Sequence, residues 1–146
     1  MFNSLVDAIG SGCINFVDTA INFRYQKSER VIKASLQYLS EIHKIKRDEI
    51  FISSKGGILH EDADIGQTLD GTLKYLIERK IITDEDVYQL SCIEPKFLEY
   101  QIQQSKFNLG VERIDCYSLN LPEIWLTKLS KPDFYNRLMV RLIESI

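Results

Sequence analysis

The sequence is poor in the residues that build metal sites and disulfide frameworks. It contains three cysteines and two histidines in 146 residues, and Cys13, Cys92 and Cys116 match no zinc or iron–sulfur spacing. His43 and His60 have no second His or Cys at ligand spacing. We therefore assign no metal, and we expect Cys13 and Cys116, which fall in predicted strands, to be buried reduced thiols.

Long apolar runs, a strong charge of one sign and a glycine-rich loop are also missing. No apolar run reaches the length of a membrane helix, and residues 1–12 lack the features of a signal peptide. The net charge is −3, and positive and negative residues are mixed along the chain. The charge therefore gives no reason to expect nucleic acid or an anionic membrane as a partner. Gly56–Gly57 alone is too short for a phosphate-binding loop. We expect a cytoplasmic protein that binds neither nucleic acid nor membrane.

What the sequence does contain is an alternation of strands and helices. An apolar content of 45% and a charged content of 27% predict one globular domain over residues 1–146. β-Branched and aromatic runs predict strands at residues 13–18, 50–55 and 113–120. Apolar periodicity predicts helices at residues 2–9, 28–42, 95–109 and from 130 to the last residue. This order predicts an α/β fold with parallel strands adjacent in chain order, and an excursion over residues 58–93.

Two of these elements carry more detailed predictions. We place the start of the second helix at Ser28, whose hydroxyl can cap free amides, with Glu29 in its first turn. The apolar stripe of that helix is predicted to comprise Ile32, Leu36, Leu39 and His43, with Val31 and Ser35 beside it. The run from Ile50 to Ile52 is apolar at every position, which is typical of a sheet covered by helices on both faces.

Each predicted strand ends in a polar side chain, and these are Asp18, Lys55 and Asn120. The carboxyl ends of parallel strands form one edge of the sheet, where α/β enzymes build their sites. A purely structural interpretation is open for each residue alone, since Asp18 can cap a turn and Lys55 can be a solvated strand end. Their recurrence on three strands favours a site at one rim.

The segments around these residues resemble the aldo/keto reductase family. They read GCINFVDTAINFRYQKSERVI, RDEIFISSKGG, NLGVERIDCYSLNLPE and KLSKPDFYNRL, and they resemble most the members with an asparagine–tyrosine–arginine run after Asp-Thr-Ala. The resemblance covers nearly the whole chain. It implies an incomplete TIM (β/α)8 barrel, running from the first to the fourth helix with strands two, three and four. It also implies NADPH as the cofactor and carbonyl reduction as the activity of the family.

The same resemblance assigns the site residues. The family uses a tyrosine that donates the proton, an aspartate and a lysine that tune it, and a histidine that orients the carbonyl. Asp18 and Lys55 match the aspartate and the lysine, and Asp18 and Thr19 match positions near the cofactor. Phe23 stands at the tyrosine position and Asn120 at the histidine position, so two of the four groups are replaced.

The replacements have unequal consequences. Phe23 has no proton to give, and loss of a positioned general acid typically costs about 10²–10⁴ in rate. Asn120 can still donate a hydrogen bond to a carbonyl, although its amide does not titrate. Tyr25 lies two residues beyond Phe23, but a displacement of about 1 Å already costs about 100-fold in rate, which argues against it as a substitute.

The short length of the chain is a second reason to expect no catalytic activity. A complete barrel has eight strands and about 250 residues, and the strands and loops that grip the cofactor in the family have no counterpart in this sequence. We therefore expect a truncated relative that is catalytically inactive and does not bind NADPH by itself. Two alternatives stay open: one half of a split reductase that is active only with its complement, or a non-catalytic binding module. We expect the chain to bind either a complementing barrel half or further copies of itself, because unpaired sheet edges promote association with other chains.

Overall fold

A computed structural model of the protein describes residues 1–144, including the side chains of residues 1–139. It contains five α-helices and three strands in an alternating order. The helices are α1 (Phe2–Gly10), α2 (Lys27–Ile42), α3 (Leu69–Glu78), α4 (Pro95–Leu109) and α5 (Lys131–Glu144); the strands are β1 (Phe16–Asp18), β2 (Phe51–Gly56) and β3 (Cys116–Leu119). Three short 3₁₀ helices occupy Arg47–Glu49, Asp84–Asp86 and Pro122–Thr127. The end of the last predicted helix, residues 145 and 146, lies outside the described residues.

The three strands form one parallel sheet in the order β1-β2-β3. Val17 lies opposite Ile52 in the first pair, and Lys55 lies opposite Ser118 in the second. The predicted α/β class, strand direction and strand order are therefore confirmed. Three consecutive parallel strands alternating with helices are consistent with part of a TIM barrel.

The main core lies between one face of the sheet and the helices packed on it. Its buried members come from α1, α2, α4, β1, β2 and the residue before β2, and are Val6, Ile9, Val17, Ile32, Leu39, Ile50, Ile52 and Leu109. On the other face, Phe16 and Phe51 are 53% and 42% exposed. The expectation of helices on both faces is therefore wrong for the part of the chain that the structure describes. The apolar character of Phe51 belongs to the uncovered face, which is the inner face of a barrel.

The start of α2 differs from its prediction. The helix begins at Lys27, and its N-cap is Gln26 in a left-handed conformation with φ of 71° and no side-chain cap. Arg24 and Tyr25 are left-handed as well, with φ of 51° and 57°. The helix therefore begins after a left-handed turn, and the Ser28 hydroxyl does not cap it. Ser28 is buried. His43, which we placed on the inner stripe, caps the end of the helix and is exposed.

Cys13 and Cys116 are free thiols, as predicted, but the prediction that they are buried was wrong. Cys13 and Cys116 are exposed, whereas Cys92 is buried. Cys13 precedes β1, which begins only at Phe16, and Cys116 pairs in register with Ser53 on the strand next to it. β3 is an edge strand of the described sheet, so its first residue lacks the packing of a central strand.

The excursion over residues 58–93 folds against α4 as a second cluster. Its buried members are Leu59, Leu76, Ile82, Cys92 and Phe97. A third cluster of Ile93, Trp125 and Phe134 attaches α5. The excursion leaves Phe16 and Phe51 exposed. No helix in the described part of the chain is both long and apolar enough to span a bilayer.

Candidate active site

Two charged side chains meet where β1 and β2 end. Asp18 is the last residue of β1, and its Oδ2 lies 2.5 Å from Nζ of Lys55, near the end of β2. The Lys55 ammonium also donates to the backbone oxygen of Thr19, at 3.1 Å. Burial alone would raise the pKa of Asp18, but hydrogen bonds from Lys55 and Ser53 outweigh it and hold the pKa below its ordinary value. The carboxyl group of Asp18 is therefore ionised at neutral pH.

The ring of Phe23 lies beside this ion pair. Its centroid is 5.7 Å from Nζ of Lys55, within the range of a cation–π contact. The ring is 41% exposed, and the backbone N–H of Phe23 donates to Ala20 at the start of the turn that leads into α2. A phenyl group thus stands next to the lysine, at the position where the resemblance implies a tyrosine hydroxyl.

Asn120 reaches the same rim from β3. Its backbone N–H donates to the carbonyl of Gly56 at 2.7 Å, and its Nδ2 donates to Oδ1 of Asn22 at 3.0 Å. One N–H of the Asn120 amide is therefore already used by a neighbouring side chain. Sequence reasoning missed Asn22, whose only signal was a polar residue directly before Phe23 in the loop after β1.

The four family positions are thus assembled at one edge of the sheet by three strands and one turn. Lys55 contacts both Asp18 and the ring of Phe23, and Asn120 donates to the adjoining Asn22. Thr19, predicted near the cofactor, is 2% exposed, and its hydroxyl is buried without a hydrogen-bond partner among the described residues. Its side chain faces the protein interior rather than the rim.

The glycine pair after Lys55 serves the packing of the fold. A Cβ on Gly56 would overlap the hydroxyl of Tyr117, so the close approach of β3 and α4 requires glycine there. Gly57 has a φ of 102°, and its N–H donates to Oε1 of Gln101 at 2.6 Å. This amide is satisfied within the protein and is not directed at a ligand.

Within the described residues, no group of three His, Cys, Asp or Glu side chains is placed to hold a metal ion. The chemistry available at the rim is therefore that of one carboxylate, one ammonium, two amides and an aromatic ring.

Comparison with known proteins identifies the family of the chain. A search of the curated proteins gives no significant match to the chain. The model of the Aldo/keto reductase family matches residues 2–144, which is almost the entire sequence. The match includes every strand and helix described above and all four rim positions. The parallel sheet, the strand-end aspartate and lysine and this match together show that the chain belongs to the aldo/keto reductase family.

Proposed function

We propose that these 146 residues, as a separate polypeptide, do not reduce carbonyl compounds with NADPH, the general cofactor of the family. The observation that carries the proposal is the phenyl ring of Phe23 beside Nζ of Lys55. Residues 1–146 then form one unit that corresponds to the barrel from its first to its fourth helix. The unit retains the ion pair of Asp18 and Lys55 at its rim and lacks the group that delivers the proton.

The proton is the missing reactant. Reduction of a carbonyl adds a hydride to carbon and a proton to oxygen, and Phe23 has no proton to supply. The Lys55 ammonium directs its hydrogen bonds to Asp18 and to the carbonyl of Thr19. Asn120 can donate an N–H to a carbonyl oxygen, but an amide does not protonate it. The loss of a positioned acid alone accounts for about 10²–10⁴ in rate.

The described residues also fit NADPH poorly. When bound, this cofactor supplies a hydride and requires partners for its phosphates. The amide of Gly57 donates to Gln101, the hydroxyl of Thr19 is buried, and Lys55 is paired with Asp18. The sheet holds three of the eight strands of a complete barrel. We infer that the exposed carboxylate of Asp18 is not sufficient to hold the cofactor and that NADPH binds too weakly to measure at ordinary concentrations.

An assay on the purified chain tests the proposal. NADPH consumption is measured with a panel of aldehydes and ketones, and NADPH binding is measured by its fluorescence on the same sample. Far-UV circular dichroism confirms that the chain is folded. We expect no consumption above the rate without protein and no saturable binding. Turnover that scales with protein concentration would overturn the proposal.

A second candidate function is that of one half of a divided barrel. The observation in its favour is the uncovered face of the sheet, where the rings of Phe16 and Phe51 stack with centroids 5.3 Å apart and an angle of 12°. A complementing polypeptide that carries the missing strands, or a second copy of the chain, would cover these rings and pair the edges of β1 and β3. Carbonyl reduction that appears only with the complement supports this function. Partner binding without turnover supports a non-catalytic binding module instead.

A further inference from the structure

Glu29, in the first turn of α2, is a fully buried carboxyl group. Its exposure is 0%, and it lies where α2 packs against β2 and α4. The hydroxyl of Ser54 donates to its Oε1 at 2.8 Å, and Nδ2 of Asn108 donates to its Oε2 at 3.0 Å. The two partners come from the sheet and from α4, so this one carboxyl group joins three elements.

The hydrogen bonds continue from Asn108 to the excursion. Oδ1 of Asn108 accepts from Nε of Arg30 at 3.2 Å, and its Nδ2 also donates to Gln26 at 2.9 Å. Arg30 in turn donates to Asp62, at 2.8 Å and 2.5 Å, and to Asp64. A continuous chain of hydrogen bonds therefore runs from Ser54 on the sheet, through Glu29, to the beginning of the excursion.

No cation contacts the Glu29 carboxyl among the hydrogen bonds of the described residues. Arg30, the one charged group that influences it, is occupied by Asp62 and Asp64. The remaining facing groups are neutral: Ser54 from β2, Asn108 and Ser105 from α4, and the phenol of Tyr117 from β3. Lys55, the neighbour of Ser54 in β2, is paired with Asp18 at the rim.

The surroundings of the carboxyl group also contain two hydroxyls. The hydroxyls of Ser105 and Tyr117 lie near the Glu29 carboxyl group, and both are buried without a hydrogen-bond partner among the described residues. A carboxylate only accepts hydrogen bonds, whereas a carboxylic acid also donates one. Burial raises the pKa of Glu29, and the hydrogen bonds from Asn108 and Ser54 offset this only in part.

We propose that Glu29 is a buried proton-binding group that couples the sheet to the excursion, so that loss of its proton as the pH rises weakens this connection. An ionised carboxylate in neutral, buried surroundings is costly unless water or a cation reaches it. Separation of α2 from α4 lets water reach the carboxylate. It also breaks the hydrogen bond from Asn108 to Glu29, which links Glu29 through Asn108 to Arg30.

The direction of the effect follows from linkage. The folded chain keeps the proton at pH values where the unfolded chain, with a pKa of 4.5 for Glu, has released it. The stabilisation is therefore complete below about pH 4.5 and is lost as the pH rises through the folded-state pKa. The loss is at most about tenfold in the folding equilibrium constant per pH unit.

Unfolding by urea from pH 4.5, the reference pKa of Glu, to about pH 8.5, in the range that buried Glu residues reach, tests the proposal. The chain is compared with Glu29→Gln, a neutral isostere, and with Glu41→Gln as a matched control at an exposed position of the same helix. We expect the ratio of the folding constants of the natural chain and Glu29→Gln to fall as the pH rises, by up to about tenfold per unit. The ratio for Glu41→Gln stays constant. A constant ratio for Glu29→Gln as well would overturn the proposal.

Two NMR measurements extend the test and do not depend on the stability of the variant. The ¹³Cδ resonance of Glu29 in the natural chain is expected to titrate above pH 4.5, the reference value for Glu. Ionisation at or below that value would contradict the proposal. The amide protons of Asp62 and Gln67, which pair the two ends of the excursion's first turn, report on the coupling. We expect their protection to fall as the Glu29 resonance titrates, and unchanged protection would show that Glu29 is not coupled to the excursion.

Discussion

At the scale of single residues, the rim holds the ion pair of Asp18 and Lys55 beside the phenyl ring of Phe23. The ion pair of Asp18 and Lys55 is partly exposed, with side-chain exposures of 48% and 23%. Pairs of this kind contribute about 0–1 kcal/mol, and a cation–π contact such as that of Lys55 with Phe23 adds about 0.5–1 kcal/mol. These energies are too small to explain the cluster as a structural device. We propose instead that the arrangement is the site of the family with its proton donor replaced.

His60 provides a residue-scale prediction about stability. It is 4% exposed, and neither ring nitrogen has a hydrogen-bond partner among the described residues. Burial lowers the pKa of His60 from 6.5 to about 4, opposed only by Asp62. Between these values the unfolded chain binds a proton that the folded chain does not, so stability falls as the pH falls. Urea unfolding should show that the free energy of unfolding falls by up to about 3 kcal/mol across that interval. The figure follows from about 1.36 kcal/mol for each unit by which the pKa is shifted.

The matched variant for this prediction is His60→Phe, which keeps the volume of a ring and removes the titration. Its stability relative to the natural chain should improve as the pH falls from 6.5 to 4. His43→Phe, at an exposed position, serves as the control. An equal pH dependence in the natural chain and in His60→Phe would show that the ring is protonated or solvated in the fold.

At the scale of elements, the turn between β1 and α2 is the unusual feature. Arg24, Tyr25 and Gln26 are left-handed in succession, with φ of 51°, 57° and 71°. This conformation costs residues other than glycine about 1–2 kcal/mol each. The turn is held by the Gln26 side chain, which donates to Glu61 and accepts from Asn108. Packing around Gln26 thus stabilises a strained backbone that positions Phe23.

Tyr25→Gly should therefore stabilise the chain. Tyr25 is 55% exposed, so little packing is lost, and glycine adopts a positive φ without the steric cost. We expect a gain of about 0.5–1 kcal/mol in the free energy of unfolding, after the entropy cost of glycine. Tyr38→Gly, at a 40% exposed position inside α2, should instead lose about 1 kcal/mol. Equal losses in both variants would mean that the turn is not strained.

The helix boundaries and the rim contacts show which features the sequence could predict. α4 was predicted correctly from Pro95 to Gly110, because proline at the start and a left-handed glycine at the end are local signals. The start of α2 was misplaced by one residue because its left-handed cap depends on contacts of Gln26 with residues far away in the chain. The meeting of Asp18 with Lys55 followed from the parallel topology. The role of Asn22 did not, because it depends on where Asn120 arrives from another strand.

At the scale of the whole molecule, the sheet has one buried and one open face. Phe16 lies on the open face with Phe51, whereas Ile52 is fully buried and the Tyr117 hydroxyl packs near Gly56 on the helix side. An open apolar face and two strand edges without partners in the described sheet favour association with other chains. We infer that the isolated chain self-associates or is dynamic unless a partner covers this face.

Light scattering at several protein concentrations, combined with thermal unfolding, measures this behaviour. The natural chain should show a mass above that of a monomer or a broad, concentration-dependent transition. Phe16→Ser with Phe51→Ser should shift it towards monomer, because the exposed rings are removed. Phe107→Ser, at a 72% exposed site on α4, should leave the association unchanged. A monomer of the natural chain with a sharp, concentration-independent transition would show that the open face is tolerated.

The most direct test of the account is the attempt to restore the reaction. Phe23→Tyr combined with Asn120→His returns both replaced groups to the rim beside Asp18 and Lys55. We predict that the purified double variant still consumes no NADPH with aldehydes or ketones, because three strands do not hold the cofactor in place for hydride transfer. Protein-dependent turnover by the double variant would contradict the proposal that the chain cannot hold NADPH for the reaction. It would show that the rim residues alone limit the activity.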